Sequence, residues 1–557
     1  MQRSMRIVIC GFLGLLTFYG CGPPGGQLAV HLKVACKATG GGLRGAPPGD
    51  IDAFRLCIQK PTGEKIKCRD FSDPGAEKVR VGSIPTGKNR VVTFQGYARD
   101  AASGQTEVVW CGRAVGIHIQ SDAVTPVRML LTRCSDFSET PAPPGEARAF
   151  HQAIPDADGS ILLLGGYSRI EDVGLVATGS VERYDPDEGT FTLLPGGLNH
   201  PRGFCAAMPL QDGRILTAGG CERAGIRLEF TDPDRPGSPL KCLEPGLAAT
   251  TLEIYDPQTG DSDTTEIPAT IFAVSGALGG DRLLLIAGQD LQGNPLRRAL
   301  LVDASGDTPT VTEYPDVLQL PRRSPAGVLF SLPGDLPAEM LILGGAGADG
   351  ADDPGIFAEL LVAGAGDMFT LVPGFAGGAS GVGLPVMHAA GTRLGPGQIL
   401  FSGGIYPERY QSLDLPYIPE PLNAAAVVDM RTESLKLLPA EGRLSVPRAF
   451  HSSTRADSRG NALVAGGLTR QNLNLPLHHQ STDSVEWWND TEQKFSLVWR
   501  NGVEVSMHQP RAGHSATFLE DGTVLIMGGT DGAAVFQTAE LFNPAPVDLG
   551  TDGLPAL

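Results

Sequence analysis

Residues 509–544 read QPRAGHSATFLEDGTVLIMGGTDGAAVFQTAELFNP. The stretch parses as a strand over His514–Leu519, an Asp521-Gly522 turn and a second strand over Val524–Met527. Gly528-Gly529 closes the second strand, and a loop leads to a third strand over Thr538–Phe542. Asp-Gly between two apolar runs is a strong hairpin signal, with both turn residues expected at positive φ. The double glycine marks a point where a side chain would collide or the backbone must bend.

The same phrase recurs along the chain. Arg448–Gly467 reads RAFHSSTRADSRGNALVAGG, Arg148–Gly166 reads RAFHQAIPDADGSILLLGG, and Arg202–Gly220 reads RGFCAAMPLQDGRILTAGG. Weaker copies end at Ala287-Gly288, Gly344-Gly345 and Gly403-Gly404, which makes seven copies in all. Third strands follow at Val181–Tyr184, Leu252–Tyr255, Ala299–Asp303, Ala424–Asp429 and Ser484–Trp488. Shorter fourth strands are indicated at Phe191–Leu193, Phe369–Val372, Leu435–Leu437 and Phe495–Val498. Four short strands per copy, seven times over, predict an all-β, seven-bladed propeller over residues 148–549. The last copy lacks a fourth strand, so closure falls to the segment around Phe137 or to the tail at Val547–Leu549.

The double glycines, the Arg-x-x-His openings (Arg148/His151, Arg448/His451, Arg511/His514) and the Tyr-Asp-Pro turns resemble the kelch family. Cys205 replaces the histidine of the second copy, and copies three to five have eroded openings. Gly165 to Gly219 is 54 residues and Gly219 to Ala287 is 68, longer than the roughly 50 residues of a kelch repeat. The excess falls in loops.

Outside the repeats, Met1–Cys21 reads as a secretory signal, with Arg3 and Arg6 before an apolar run over Ile7–Tyr19. Its end at Gly20-Cys21 resembles a bacterial lipobox, which implies cleavage after residue 20, lipidation of Cys21 and, since Gly22 follows, an outer-membrane lipoprotein. Residues 21–27 form a tether. Leu28, Val30, Leu32 and Val34 then alternate, and further short strand-like runs predict a small β-sandwich over 28–134, of immunoglobulin-like or transthyretin-like size. The Pro-rich segment 135–147 reads as a linker.

The ten cysteines fit an oxidising compartment. Cys57 and Cys68 flank a hairpin, Cys221 and Cys242 bracket one long loop, and Cys205 reads as a buried thiol. Spacing does not choose among the other pairings.

Formal net charge is −18, which argues against a nucleic-acid partner. His151, His451 and His514, with His388 at a similar place, read as scaffold residues that bond the backbone between blades, with no metal or other cofactor. No catalytic signature is found. The alternative is an extracytoplasmic oxidase resembling the galactose oxidase-type copper enzymes, for which no set of two tyrosines, two histidines and a cysteine can be placed. The favoured expectation is a non-catalytic scaffold for an anionic protein or glycan ligand. Arg148, Arg202, Arg322, Arg448 and Arg511 recur at one repeat position and are candidate ligand contacts. Tyr406, Tyr410 and Tyr417, in the loop over 405–423, are further candidates.

Overall fold

The structure is a computed structural model. It describes residues 25–34, 51–71, 80–99, 106–121, 123–171, 174–226, 240–330, 339–345, 358–363, 369–371, 387–395, 397–405, 421–429, 432, 434–457, 459–470 and 479–544. The signal, Cys21 and the tyrosines at 406, 410 and 417 lie outside the described residues. Among the described residues the chain is all-β, with short 3-10 turns, and no helix is long and apolar enough to cross a membrane.

The N-terminal domain differs from the expected sandwich. Its strands are β1 (Gly25–Val34), β2 (Ala53–Gln59), β3 (Lys65–Phe71), β4 (Arg80–Pro85), β5 (Gly87–Arg99), β6 (Thr106–Ile119) and β7 (Val124–Arg133). They form one sheet in the order β3-β2-β5-β6-β7-β1-β4, with β1 and β7 parallel. The sheet curls until it almost meets itself. Lys67 Nζ crosses the remaining gap from β3 to the Gly82 carbonyl on β4 at 2.6 Å. Alternating apolar residues therefore line one interior rather than the gap between two layers. Leu28, Val30, Phe54, Leu56, Phe94, Trp110 and Met129 fill it. Strand count and alternation are the same for both arrangements, so the sequence pattern could not separate them.

Three disulfides form: Cys57–Cys68, Cys111–Cys134 and Cys221–Cys242. They indicate an extracytoplasmic chain. Cys57 and Cys68 sit directly opposite each other on β2 and β3. Cys205 is a buried free thiol, as expected.

The repeats fold into seven antiparallel four-stranded sheets of one plan. Their first strands are Gln152–Pro155, Ala206–Pro209, Val274–Leu278, Ala326–Phe330, Ala390–Gly395, Ser452–Arg455 and Ser515–Phe518. Each of these packs on the next, and the seventh packs back on the first, so the arrangement is cyclic and propeller-like. Second strands such as Ile161–Leu164 and Val524–Met527 are buried at every position. These two are apolar throughout because both faces meet neighbouring sheets.

The hairpin turn takes a different form from the one expected. In the seventh unit only Gly522 is left-handed, at φ 89°. The Leu519 N–H bonds the Thr523 carbonyl and the Gly522 N–H bonds the Leu519 carbonyl. The aspartate carboxylate takes the N–H two residues on (Asp521 Oδ1 from Thr523, 2.9 Å). Asp158 with Ser160 and Asp212 with Arg214 repeat that bond in the first two units. The aspartate is selected for this acceptor role, not for positive φ.

Closure comes from the N-terminal side. β8 (Asp136–Glu139) pairs with Ala539–Asn543 and supplies the fourth strand of the seventh unit. The segment expected as a linker is thus part of the ring. The N-terminal domain sits against the turn end of units one and seven. Leu130 shares an apolar cluster with Tyr184, Leu519 and Leu525, Arg128 faces Asp187 and Glu188, and Asn543 Nδ2 donates to Thr132 Oγ1 at 2.7 Å. The double glycines lie at the opposite end of the units.

Phe137 is 3% exposed and its ring lies 5.0 Å from that of Phe542. Phe137→Ala should cost about 3–5 kcal/mol in urea denaturation. A loss below about 1 kcal/mol would contradict closure by this strand.

Candidate functional site

The recurring arginine organises each unit. Arg148, Arg202, Arg448 and Arg511 are 0% exposed and Arg322 is 4% exposed. Arg448 donates from Nη1 to the Gly466 and Ser484 carbonyls, and from Nη2 to Ser484 Oγ and Glu486 Oε1 at 2.9 Å. Arg148 repeats this set with Gly165, Ser180 and Glu182, Arg511 with Gly528, Thr538 and Glu540, and Arg202 with Gly219, Thr251 and Glu253. Arg322 donates to the Gly344 carbonyl. The five arginines expected to face a ligand are therefore placed inside the ring, with their donors engaged by protein acceptors. A charge moved out of water needs a compensating partner and filled hydrogen bonds. Each glutamate completes its shell with backbone N–H groups; Glu486, for example, accepts from Ser445 and Val446.

A signal for this pairing was available in the sequence. Two units lack the arginine, carrying Thr270 and Val386 in its place. The same two lack the glutamate: strand register puts Leu300 and Ala426 at its position. In the fourth unit register puts Glu359 there, matching Arg322. Arginine and glutamate come and go together.

The arginine backbone also joins units. The second glycine of each pair donates to the carbonyl of the next unit's arginine: Gly166 to Arg202, Gly288 to Arg322, Gly404 to Arg448, Gly467 to Arg511 and, across the seam, Gly529 to Arg148, all at 2.7–2.9 Å. Gly220 makes the equivalent bond to Thr270 at 3.0 Å. The first glycine packs on that same carbonyl. A Cβ on Gly466 would lie 2.5 Å from the Arg511 oxygen and 2.7 Å from His514 Cε1.

The histidines are scaffold residues, but their partners are side chains. His151 Nε2 shares a hydrogen bond with Ser515 Oγ, His514 Nε2 with Ser452 Oγ, and His451 Nε2 with Ser402 Oγ, at 2.8–2.9 Å. Each bond reaches the preceding unit. Burial, then the adjacent arginine, holds His151 and His451 down at about 3, and His514 is lowered well below its ordinary value for the same reasons. His388 is not their equivalent. It sits one position earlier in the repeat, because Met387 makes the bridge that Ala149 makes in the first unit.

That earlier position surrounds the axis. Phe150, Phe204, Phe272, Ser324, His388, Phe450 and Gly513 occupy it, one per unit, all left-handed with φ between 49° and 63°. Non-glycine residues enter this region at a steric cost, and such outliers cluster at functional sites. Five of these N–H groups donate to the carbonyl of the same residue in the preceding unit: Phe150 to Gly513, Phe204 to Phe150, His388 to Ser324, Phe450 to His388 and Gly513 to Phe450. The side chains form an arc. Ring centroids run His388–Phe450 4.2 Å, Phe450–Phe150 5.7 Å, Phe150–Phe204 4.4 Å and Phe204–Phe272 4.9 Å. Phe150 also covers Gly513, whose Cβ would meet its ring at 2.5 Å. The arc is interrupted at Ser324. The sequence carries a partial signal for it in the Phe of Arg-x-Phe, at Phe150, Phe204 and Phe450.

Two of the long loops build a further sheet at this end. Tyr167–Glu171, Gly174–Ala177, Arg223–Ile226 and Leu240–Glu244 pair in that order, and Cys221–Cys242 pins them. Tyr167, Leu175 and Ala224 pack into one cluster with Phe272, Phe150 and Phe204.

Glu486→Gln should destabilise the chain by about 3–5 kcal/mol, because it strands a buried guanidinium. Combining Arg448→Met with Glu486→Leu should recover most of that loss in the same urea titration. A cost below about 1 kcal/mol for the single change would refute the pairing. The histidines give a separate pH signature. Their folded values lie below the unfolded 6.5, so their stabilisation is complete above that pH and declines as pH falls from 6.5 toward 3. His451→Gln should flatten the fall of Tm over that interval; an unchanged slope would exclude the role.

No family model matches the chain, and no curated protein matches it. Solved structures of similar fold include one described as "Structure of YjhT", at TM-score 0.40 and 14% identity, covering 62% of this chain and 95% of that one. Another is described as "Novel fungal alcohol oxidase with catalytic diversity among the AA5 family, in complex with copper", at TM-score 0.43 and 13% identity, covering 82% and 85% respectively.

Proposed function

We propose that the chain is a cell-envelope lipoprotein, anchored through Cys21 in the outer membrane, that presents a seven-bladed kelch-type propeller as a binding scaffold. Its partner is a protein or glycan. The reading rests on one observation above all: the aromatic arc and the extra disulfide-pinned sheet lie at the end of the ring opposite the N-terminal domain. An anchor ahead of β1 would hold the turn end toward the membrane and leave the arc toward partners. Elaborated loops on a rigid frame are where binding residues concentrate.

Copper, held by one of the similar folds, offers a test of the other reading. The donor set around the axis does not suit it. His151, His451 and His514 each spend Nε2 on a serine, and their Nδ1 sides face the packed glycines; a Cβ on Gly403 would stand 3.2 Å from His451 Nδ1. Tyr167 Oη donates to the Cys221 carbonyl. Among the described residues no three metal-ligating side chains gather.

Metal analysis of the purified chain, with a peroxide assay on primary alcohols, tests the choice. Binding without catalysis predicts sub-stoichiometric copper and no peroxide. One copper per chain together with alcohol-dependent peroxide would replace the scaffold by an oxidase.

A further inference from the structure

The interruption of the arc is chemically unlike the rest of it. Four units place a phenylalanine at the axial position, one a histidine stacked on Phe450, and one a glycine that Phe150 covers. The fourth unit alone places a hydroxyl there. Ser324 is 5% exposed, and its Oγ is buried without a hydrogen-bond partner. Buried hydroxyls are normally satisfied, so an orphan in an arc whose His388 and Phe450 rings are half-buried and whose Phe272 ring is buried points to a missing acceptor or donor. The neighbouring residue repeats the pattern. Arg323 occupies the position held elsewhere by Ala149, Gly203, Ile271, Met387, Ala449 and Ala512. Its Nε is buried and likewise without a partner. Burial lowers the guanidinium from its ordinary value, and burial first and then the Arg323 charge hold the His388 imidazole down at about 3.

The contrast with Arg322 sharpens the point. Arg322 is the scaffold arginine, with its guanidinium on the Gly344 carbonyl. Arg323, one residue later, has no counterpart in any other unit and no role in the common plan. A guanidinium Nε and a hydroxyl, both without acceptors, thus lie on consecutive residues of the one unit where the arc is interrupted. Phenyl rings carry no hydrogen-bonding atoms, so the arc itself selects an apolar body rather than a polyol.

We propose that Arg323 and Ser324 bind the carboxylate of an arylalkyl carboxylate whose apolar body lies against Phe272, His388 and Phe450. This deepens the scaffold reading and rests on it. The carboxylate accepts from the guanidinium and from the serine hydroxyl, which removes both orphans at once. The same chemistry is carried by a free acid and by the last residue of a peptide ending in phenylalanine.

The test titrates the full chain by calorimetry with 3-phenylpropionate, its neutral counterpart 3-phenylpropanol, and acetate. In parallel, a short peptide ending in a phenylalanine carboxylate is compared with its C-terminal amide. The acid should bind at least ten-fold more tightly than the alcohol or acetate. Binding of the small acid alone assigns a free metabolite, and preference for the peptide acid over its amide assigns a chain terminus. Arg323→Gln should weaken the acid at least ten-fold. Ser324→Phe, which copies four sister units at the same backbone conformation, should abolish binding with Tm unchanged or raised. Equal binding of acid and alcohol, no binding of either acid, or full affinity in Ser324→Phe would overturn the proposal. Such a failure leaves the scaffold reading standing, whereas stoichiometric copper with peroxide in the unmodified chain removes that reading itself.

Discussion

A buried arginine at the head of the repeat is the constraint on which the ring depends. Its guanidinium ties the end of the second strand to the start of the third within one unit. Its carbonyl receives the glycine N–H of the unit before. One residue therefore sets both the internal geometry of a sheet and the spacing to its neighbour. Removing such a charge from water costs several kcal/mol unless the partner is ideal, and Glu182, Glu253, Glu486 and Glu540 are buried just as fully as their arginines. The double glycine follows from the same demand. In five units a side chain on the first glycine would strike the carbonyl that the second must reach; the third unit accommodates Ala287 there at φ 61°.

With the frame carried by residues that never see solvent, the loop end is free to diverge. The consequence is visible in how unequal the units are at the axis, where phenyl, imidazole, hydroxyl and hydrogen alternate around nearly identical backbone. It is visible also in the extra sheet raised by the first two units and stapled by Cys221–Cys242. At the other end an aspartate folds back the turns of the first, second, sixth and seventh units, and there the N-terminal domain and β8 attach.

The repeat, its strands and two of the three disulfides were legible in the sequence, because alternation, turn residues and hairpin-flanking cysteines act locally. The curled single sheet of β1–β7 was not, since strand pairing between β1 and β7 spans about ninety residues and leaves no local mark. Nor was the choice of closing strand: Phe137 and the tail were equally apolar. The arginines misled in an instructive way. A recurring charge in an acidic chain looks like a ligand grip until its partner is found, and the partner lies 29 to 51 residues downstream (Arg511 with Glu540, Arg202 with Glu253). The joint loss of both in the third and fifth units was the readable clue. His388 was misplaced by one residue, which at the axis is the difference between a scaffold histidine and a lining one.

The central claim is that the ring closes through the same bond that joins its interior units. Native-state hydrogen exchange at Gly529, set beside Gly404 and Gly467, tests it most directly. All three amides donate to an arginine carbonyl of the following unit, but only Gly529 does so across the seam. A closed ring predicts that Gly529 exchanges with the same protection as the other two, opening only with global unfolding. Exchange at Gly529 faster by a hundred-fold or more, with Gly404 and Gly467 still protected, would show a ring that opens at its seam and would contradict the account.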